Sequence, residues 1–161
     1  MAKGTILVAL IAALSVGAVW SQDSEADRTD FSGTWTPLDP AETRDIVILQ
    51  DDERVRIQQR CGDGSDCELA VLLDGSESIS ESALWRYASR ASWLNHGTLM
   101  VNTLITDTTR EDNQGMHTTV YTLDWRTENL NITTFSLPRN FRPEGAPQYA
   151  KVETISYARQ N

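Results

Sequence analysis

His117 and Tyr121 are the two residues of this chain whose types and spacing best fit a chemical role. Both lie in the run Met116–Trp125, where they share the parity of Trp125. Alternate residues of a strand face the same side. If that side points into a barrel, an imidazole and a phenol lie within an apolar interior, where they would orient a ligand or serve as general acid and base. The open alternative is a solvated His117 at the end of its strand.

The stronger catalytic motifs are missing from the sequence. There is no G-x-S-x-G, no G-x-x-x-x-G-K-[ST] and no H-E-x-x-H. The other histidine, His96, falls in an Asn-His-Gly turn, so two histidines cannot build a three-histidine metal site. The acidic turns do not match the spacing of a calcium-binding EF-hand. We therefore expect neither a metal nor a cofactor, and binding is favoured over catalysis.

Two further aromatic residues, Tyr87 and Trp93, lie in the stretch Ile79–Leu94, whose pattern is ambiguous. Part of it fits helical spacing, and Ser78-x-x-Glu81 resembles a helix capping box. Period-two alternation instead places Tyr87 and Trp93 on one face of a strand. We favour a strand over Arg86–Leu94. Tyr87 and Trp93 then join His117 and Tyr121 as predicted ligand-binding residues, with core packing as the alternative.

Cys61 and Cys67 are the only cysteines and enclose the sequence G-D-G-S-D. All five enclosed residues are turn formers, so a disulfide between the two would close a hairpin tip. A redox pair usually has the spacing C-x-x-C, and no second Cys/His cluster supplies further metal ligands. The sequence predicts a structural Cys61–Cys67 bridge.

The remainder of the chain is a series of short strand-like runs separated by turns. In Arg54–Arg60, for example, Val55 and Ile57 alternate with polar residues. Eight or nine such runs, with no convincing long helix, predict an all-β antiparallel barrel or sandwich. About eight strands close a barrel wide enough for one small ligand.

The opening Phe31-Ser32-Gly33-Thr34-Trp35 resembles the first strand of lipocalins and related barrels. Further similarity to small exported bacterial proteins with lipocalin-like domains comes from the spacings of Trp93, Gly97 and Leu99, from Trp125 and from the closing Tyr-x-Arg. The resemblance implies an eight- to nine-stranded lipocalin-like barrel in which Arg159 packs across Trp35. These two residues are thus expected to be structural, and the resemblance implies no single activity.

The first residues resemble a secretory signal peptide. A basic Lys3 precedes the apolar run Ile6–Ala13, and small residues follow. We expect cleavage after Ala18 or Ser21, giving a signal peptide over 1–21, an acidic flexible segment over 22–30 and one barrel domain over 31–161. The protein is then periplasmic or secreted, with no membrane span after cleavage; the alternative is a retained anchor.

The negative charge of the chain disfavours two classes of binding partner, nucleic acids and anionic lipids. Cleavage removes Lys3 and no acidic residue, so the net charge changes from −9 to −10. Such a chain is repelled by nucleic-acid phosphates and anionic lipids, and we expect it to bind neither. The leading hypothesis is an exported protein that binds a small apolar or amphiphilic ligand. The alternatives are a small barrel enzyme (a cyclase, isomerase or hydrolase) and an envelope interaction or inhibitor protein that acts through the loop Arg139–Pro147.

Overall fold

Ten antiparallel strands form the fold. The computed structural model describes residues 28–42, 44–60, 65–137 and 151–160. The strands in chain order are β1 (Gly33–Pro37), β2 (Ile46–Gln50), β3 (Arg54–Arg60), β4 (Asp66–Leu72), β5 (Ser78–Glu81), β6 (Trp85–Asn95), β7 (Thr98–Asp107), β8 (Arg110–Leu123), β9 (Leu130–Leu137) and β10 (Lys151–Arg159). The all-β antiparallel prediction is confirmed. The described residues contain no helix, and so none with the length and hydropathy of a membrane span.

The strand count differs from the predicted eight to nine because Ser78–Glu81 is strand β5 and not a turn or a capped helix. A tight turn folds β5 back onto β6, in which Ser82 N–H donates to the Trp85 carbonyl at 2.8 Å. The Ser82 hydroxyl in turn accepts from Trp85 N–H at 3.2 Å. The strand favoured over Arg86–Leu94 is confirmed as part of β6.

Several predicted features lie outside the described residues. These are the signal peptide over 1–21, residues 22–27 of the acidic segment, Cys61 and the loop Arg139–Pro147. The Cys61–Cys67 bridge therefore stays a prediction.

The strands form one sheet in the order β4-β3-β2-β1-β10-β9-β8-β7-β6-β5, nearly closed into a barrel. Pairing of the first strand with the last brings Trp35 opposite Arg159. The ends of the sheet meet where β4 approaches β5, and we term this gap the β4–β5 seam. No ladder joins the two strands across the seam. There Leu72 N–H donates to the Ser78 hydroxyl at 3.1 Å.

The interior near the start of the barrel is tightly packed around Trp35. Its side chain is fully buried, and its indole N–H donates to the Phe31 carbonyl at 2.9 Å. The Arg159 guanidinium carbon lies 4.7 Å from the centre of the Trp35 ring, and Arg159 Nη2 donates to the Asp30 carbonyl at 3.3 Å. Gly33 has a φ of +144°, a conformation that side-chain-bearing residues rarely adopt. The Gly-x-Trp spacing thus serves backbone geometry as well as packing.

The segment before β1 covers this end of the barrel. Thr29 N–H donates to the His96 carbonyl at 2.8 Å, on the turn between β6 and β7. The Gln50 side chain accepts from Phe31 N–H at 3.1 Å and donates to the Thr29 carbonyl at 3.0 Å. These bonds satisfy backbone groups that would otherwise be left without partners over an apolar core, so this end is closed.

The outer face carries a line of apolar side chains across five adjacent strands. Each member is the direct cross-strand neighbour of the next: Ile79, Ala88, Leu104, Met116 and Leu137. We term this line the apolar row. Three of its members, Ile79, Leu104 and Met116, are exposed. The net charge of −9 opposes association of copies through this face at neutral pH.

Three carboxylates in turns are expected to make the stability of the barrel depend on pH. Hydrogen bonds lower the pKa of Asp51 (from the backbone of Glu53), of Asp74 (from the Ser76 side chain and backbone) and of Asp124 (from the backbone of Arg126). Such a group adds stability above its unfolded pKa of about 3.9 and loses it as the pH falls through the lower folded value. We expect the melting temperature to drop below about pH 4 for this reason.

The triple variant Asp51→Asn, Asp74→Asn, Asp124→Asn tests this expectation by thermal unfolding at neutral pH and at about pH 3. It should melt at a lower temperature than the parent at neutral pH but lose less on acidification. An equal loss in both proteins would show that other carboxylates cause the acid sensitivity.

Candidate functional site

A cavity of about 690 Å³ occupies the half of the barrel away from Trp35. Its apolar and aromatic walls come from eight strands: Ile46, Ile57, Leu69, Tyr87, Ile105, Tyr121, Ile132, Ile155 and Tyr157. Glutamine, serine, threonine and histidine side chains are interspersed: Gln59, Ser80, Ser82, Thr103, His117, Thr119 and Thr134. Side chains of both seam strands, β4 and β5, also line it. Apolar walls with a few polar groups are the usual make-up of a small-molecule site.

Three of the four residues predicted to bind ligand line this one cavity. His117 and Tyr121 lie on β8 with one inward residue, Thr119, between them. Tyr87 lies two strands away on β6, opposite Ile105 of β7. The alternation read from the sequence places these side chains on the inner face, because successive side chains of a strand point to opposite sides of the sheet.

Trp93 does not join them, although it has the same parity as Tyr87. It stacks on Phe31 with ring centres 5.8 Å apart, and the Arg28 guanidinium carbon lies 5.7 Å from its ring centre. Its indole nitrogen is buried and has no hydrogen-bond partner among the residues that the structure describes. Trp93 therefore belongs to the packed end of the barrel and lines a separate groove beside Leu73 and Arg90.

The two buried tyrosines of the cavity are neutral hydrogen-bonding groups. Burial raises the pKa of Tyr121, and the neighbouring Tyr157 raises it further. Burial is also the main cause that raises the pKa of Tyr157. A phenol with a raised pKa does not act as a general base at neutral pH. Tyr121 can instead donate to or accept from a guest, since its hydroxyl, in a side chain only 5% exposed, forms no hydrogen bond with a described residue.

The three carboxylates that border the cavity, Asp66, Glu68 and Glu81, alternate with inward-facing residues of β4 and β5 and so point to the outer face. Arg44, which precedes β2, also lines the cavity. Arg44 is held by Glu42, with Nε and Nη2 each 2.7 Å from a carboxylate oxygen. Within the part of the chain that the structure describes, no three His, Cys, Asp or Glu side chains are grouped so as to hold a metal ion.

Sequence reasoning missed Tyr157 as part of the site. The alternation of Ile155 and Tyr157 in the last strand is a usable signal for it.

Comparison with known proteins gives no assignment. No protein-family model matches the chain, and no curated protein matches it.

Proposed function

From the cavity we propose that this chain is an exported, lipocalin-like protein that binds one small apolar or amphiphilic molecule inside its barrel. The observation that carries the proposal is the cavity of about 690 Å³ with apolar walls and a few polar groups. Binding cavities for small molecules typically measure about 300–1,000 Å³. A barrel built only for stability would fill this space with side chains, because empty apolar volume is destabilising.

The lipocalin-like assignment within this proposal rests on two features. The Phe31–Trp35 opening precedes a strand that pairs with the last one, and Arg159 lies across Trp35 as the resemblance implies. Export rests on the leader-like first residues and on the cysteine pair Cys61 and Cys67.

Native mass spectrometry of the mature protein, purified from an exporting host, tests the proposal directly. We expect a bound species that survives in the gas phase and is lost on denaturation. The denatured mass should be lower than the reduced sequence by two hydrogen atoms if the Cys61–Cys67 bridge forms. A bare protein that also takes up no added aliphatic probe would contradict the binding function.

Catalysis is the second candidate, because His117 shares the cavity with Tyr121. His117 supplies an imidazole, the side chain most often used for general acid–base catalysis. Turnover of a bound molecule that is abolished in His117→Ala, while that molecule still binds, would favour an enzyme. Retained turnover in that variant would exclude this assignment of the site.

A further inference from the structure

Two facing walls of the cavity differ in polarity. On β8 and β9, Thr119 and Thr134 are direct cross-strand neighbours that face inward, and Tyr121 is the next inward residue of β8. We term these three residues the hydroxyl cluster. On β3 and β4, Ile57 and Leu69 form a corresponding inward pair. β3 and β8 are five places apart in the spatial order of the ten strands, as are β4 and β9, so a hydrocarbon wall lies across the barrel from the hydroxyl cluster.

The oxygens of the hydroxyl cluster form no hydrogen bond with a described residue. Elsewhere in the sheet such cross-strand neighbours bond to each other. Ser89 and Thr103 do so at 2.9 Å inside the barrel, and Thr133 and Thr154 do so at 3.0 Å on its outer face. Tyr121 is more than nine-tenths buried, and a polar group at such depth normally meets a ligand or a water molecule. The hydroxyl cluster is therefore available to bond to a ligand.

The charged side chains at the open end of the cavity are, among the residues described, paired with each other. Arg44 binds Glu42 through two contacts of 2.7 Å. Lys151 lies 3.1 Å from Glu153, which is opposite Thr134 and shares its inward face. The three carboxylates that border the cavity on β4 and β5 point outward. An ionised ligand inside the cavity would therefore lose its hydration without gaining a counter-charge.

We propose that the ligand is an uncharged molecule with hydroxyl or carbonyl groups along one edge, which bond to the hydroxyl cluster, and a hydrocarbon edge that packs on Ile57 and Leu69. This assignment of ligand class rests on the proposed binding function and narrows it, because it excludes fatty acids and amines. Each hydroxyl of the cluster can donate or accept a hydrogen bond. Burial raises the pKa of Tyr121, so its phenol stays protonated and can donate to a ligand carbonyl.

Three probes of equal chain length test whether the ligand is uncharged: octanol, octanoate and octylamine, titrated into the full mature protein by calorimetry. Octanoate is ionised and octylamine is protonated at neutral pH. We expect octanol to bind about tenfold more tightly than either ion. An ion must either give up its hydration inside the cavity or keep its charged end outside, and in both cases it loses contacts that octanol makes.

Removal of the three oxygens tests the contact with the hydroxyl cluster. The triple variant Thr119→Val, Tyr121→Phe, Thr134→Val keeps the shape of each side chain without its hydroxyl. We expect its affinity for octanol to fall about tenfold, while octanoate binds as before. The control is Thr122→Val, Thr133→Val, which removes threonine hydroxyls from the outer face of the same two strands. The control should keep the preference for octanol.

Each outcome separates the ligand class from the binding function. If octanoate or octylamine binds as tightly as octanol, the uncharged class is wrong and the binding function stands. A preference for octanol that survives in the triple variant, or that is lost equally in the control, overturns the contact with the hydroxyl cluster. If none of the three probes binds, the proposed function fails together with the ligand class.

Discussion

Trp35→Ala is expected to lower the free energy of unfolding by about 3–5 kcal/mol, the usual cost of removing a large aromatic side chain from a core. Trp35 is fully buried, donates to the Phe31 carbonyl at 2.9 Å and lies under the Arg159 guanidinium. The substitution opens a cavity and leaves the Phe31 carbonyl without its partner. Urea unfolding, followed by circular dichroism, measures the change.

Trp125→Ala is the matched control, because it removes the same side chain from a site that is 79% exposed. We expect the control to change stability by less than about 0.5 kcal/mol, as surface substitutions usually do. Equal effects of the two variants would contradict the account of Trp35 as the centre of the packed end.

The second large effect is expected from filling the cavity. In the variant Thr119→Trp, Thr134→Phe, two bulky side chains replace inward-facing threonines that are direct neighbours on β8 and β9. We expect octanol affinity to fall by about a hundredfold or more, equivalent to about 2.8 kcal/mol. The fold should survive, because the added side chains occupy open space and do not displace packed neighbours. Calorimetry measures the affinity and thermal unfolding checks the fold.

Its control is Val120→Trp, Thr133→Phe, which introduces the same two side chains at the adjacent cross-strand pair on the outer face. Binding should be unaffected there. Unchanged binding in the Thr119/Thr134 variant would place the ligand outside the barrel and direct attention to the outer face, where the apolar row lies.

The inner face of β8 was predictable from sequence because alternation alone decides which side of a sheet a residue takes. His117 and Tyr121 are separated by an even number of positions, and so are Tyr87 and Trp93. Alternation does not say how far along the barrel a residue lies. β6 is eleven residues long, so Tyr87 and Trp93 lie at opposite ends of the interior, one in the cavity and one against Phe31.

The approach of β4 to β5 at the seam could not be predicted from the sequence. Asp66 lies in β4 and Glu81 in β5, and in the sequence both belong to polar stretches typical of turns and exposed faces. They border one opening only because a ten-stranded sheet curls until its first and last members in spatial order approach each other. Closure of this kind depends on the twist of every intervening strand pair, a property of the whole sheet and not of any local pattern.

Because no ladder joins β4 to β5, the sheet is an open one with two edge strands at the seam and not a barrel closed by hydrogen bonds. Because Leu72 N–H points across the seam and backbone groups alternate in direction along a strand, the N–H and C=O groups of Ala70 and Glu68 face the same way. Separation of β4 from β5 would therefore break the Leu72–Ser78 hydrogen bond but no hydrogen bond of a strand ladder. Exchange of a ligand would then require only that β4 and β5 move apart, and its rate would be separate from the rate of global unfolding.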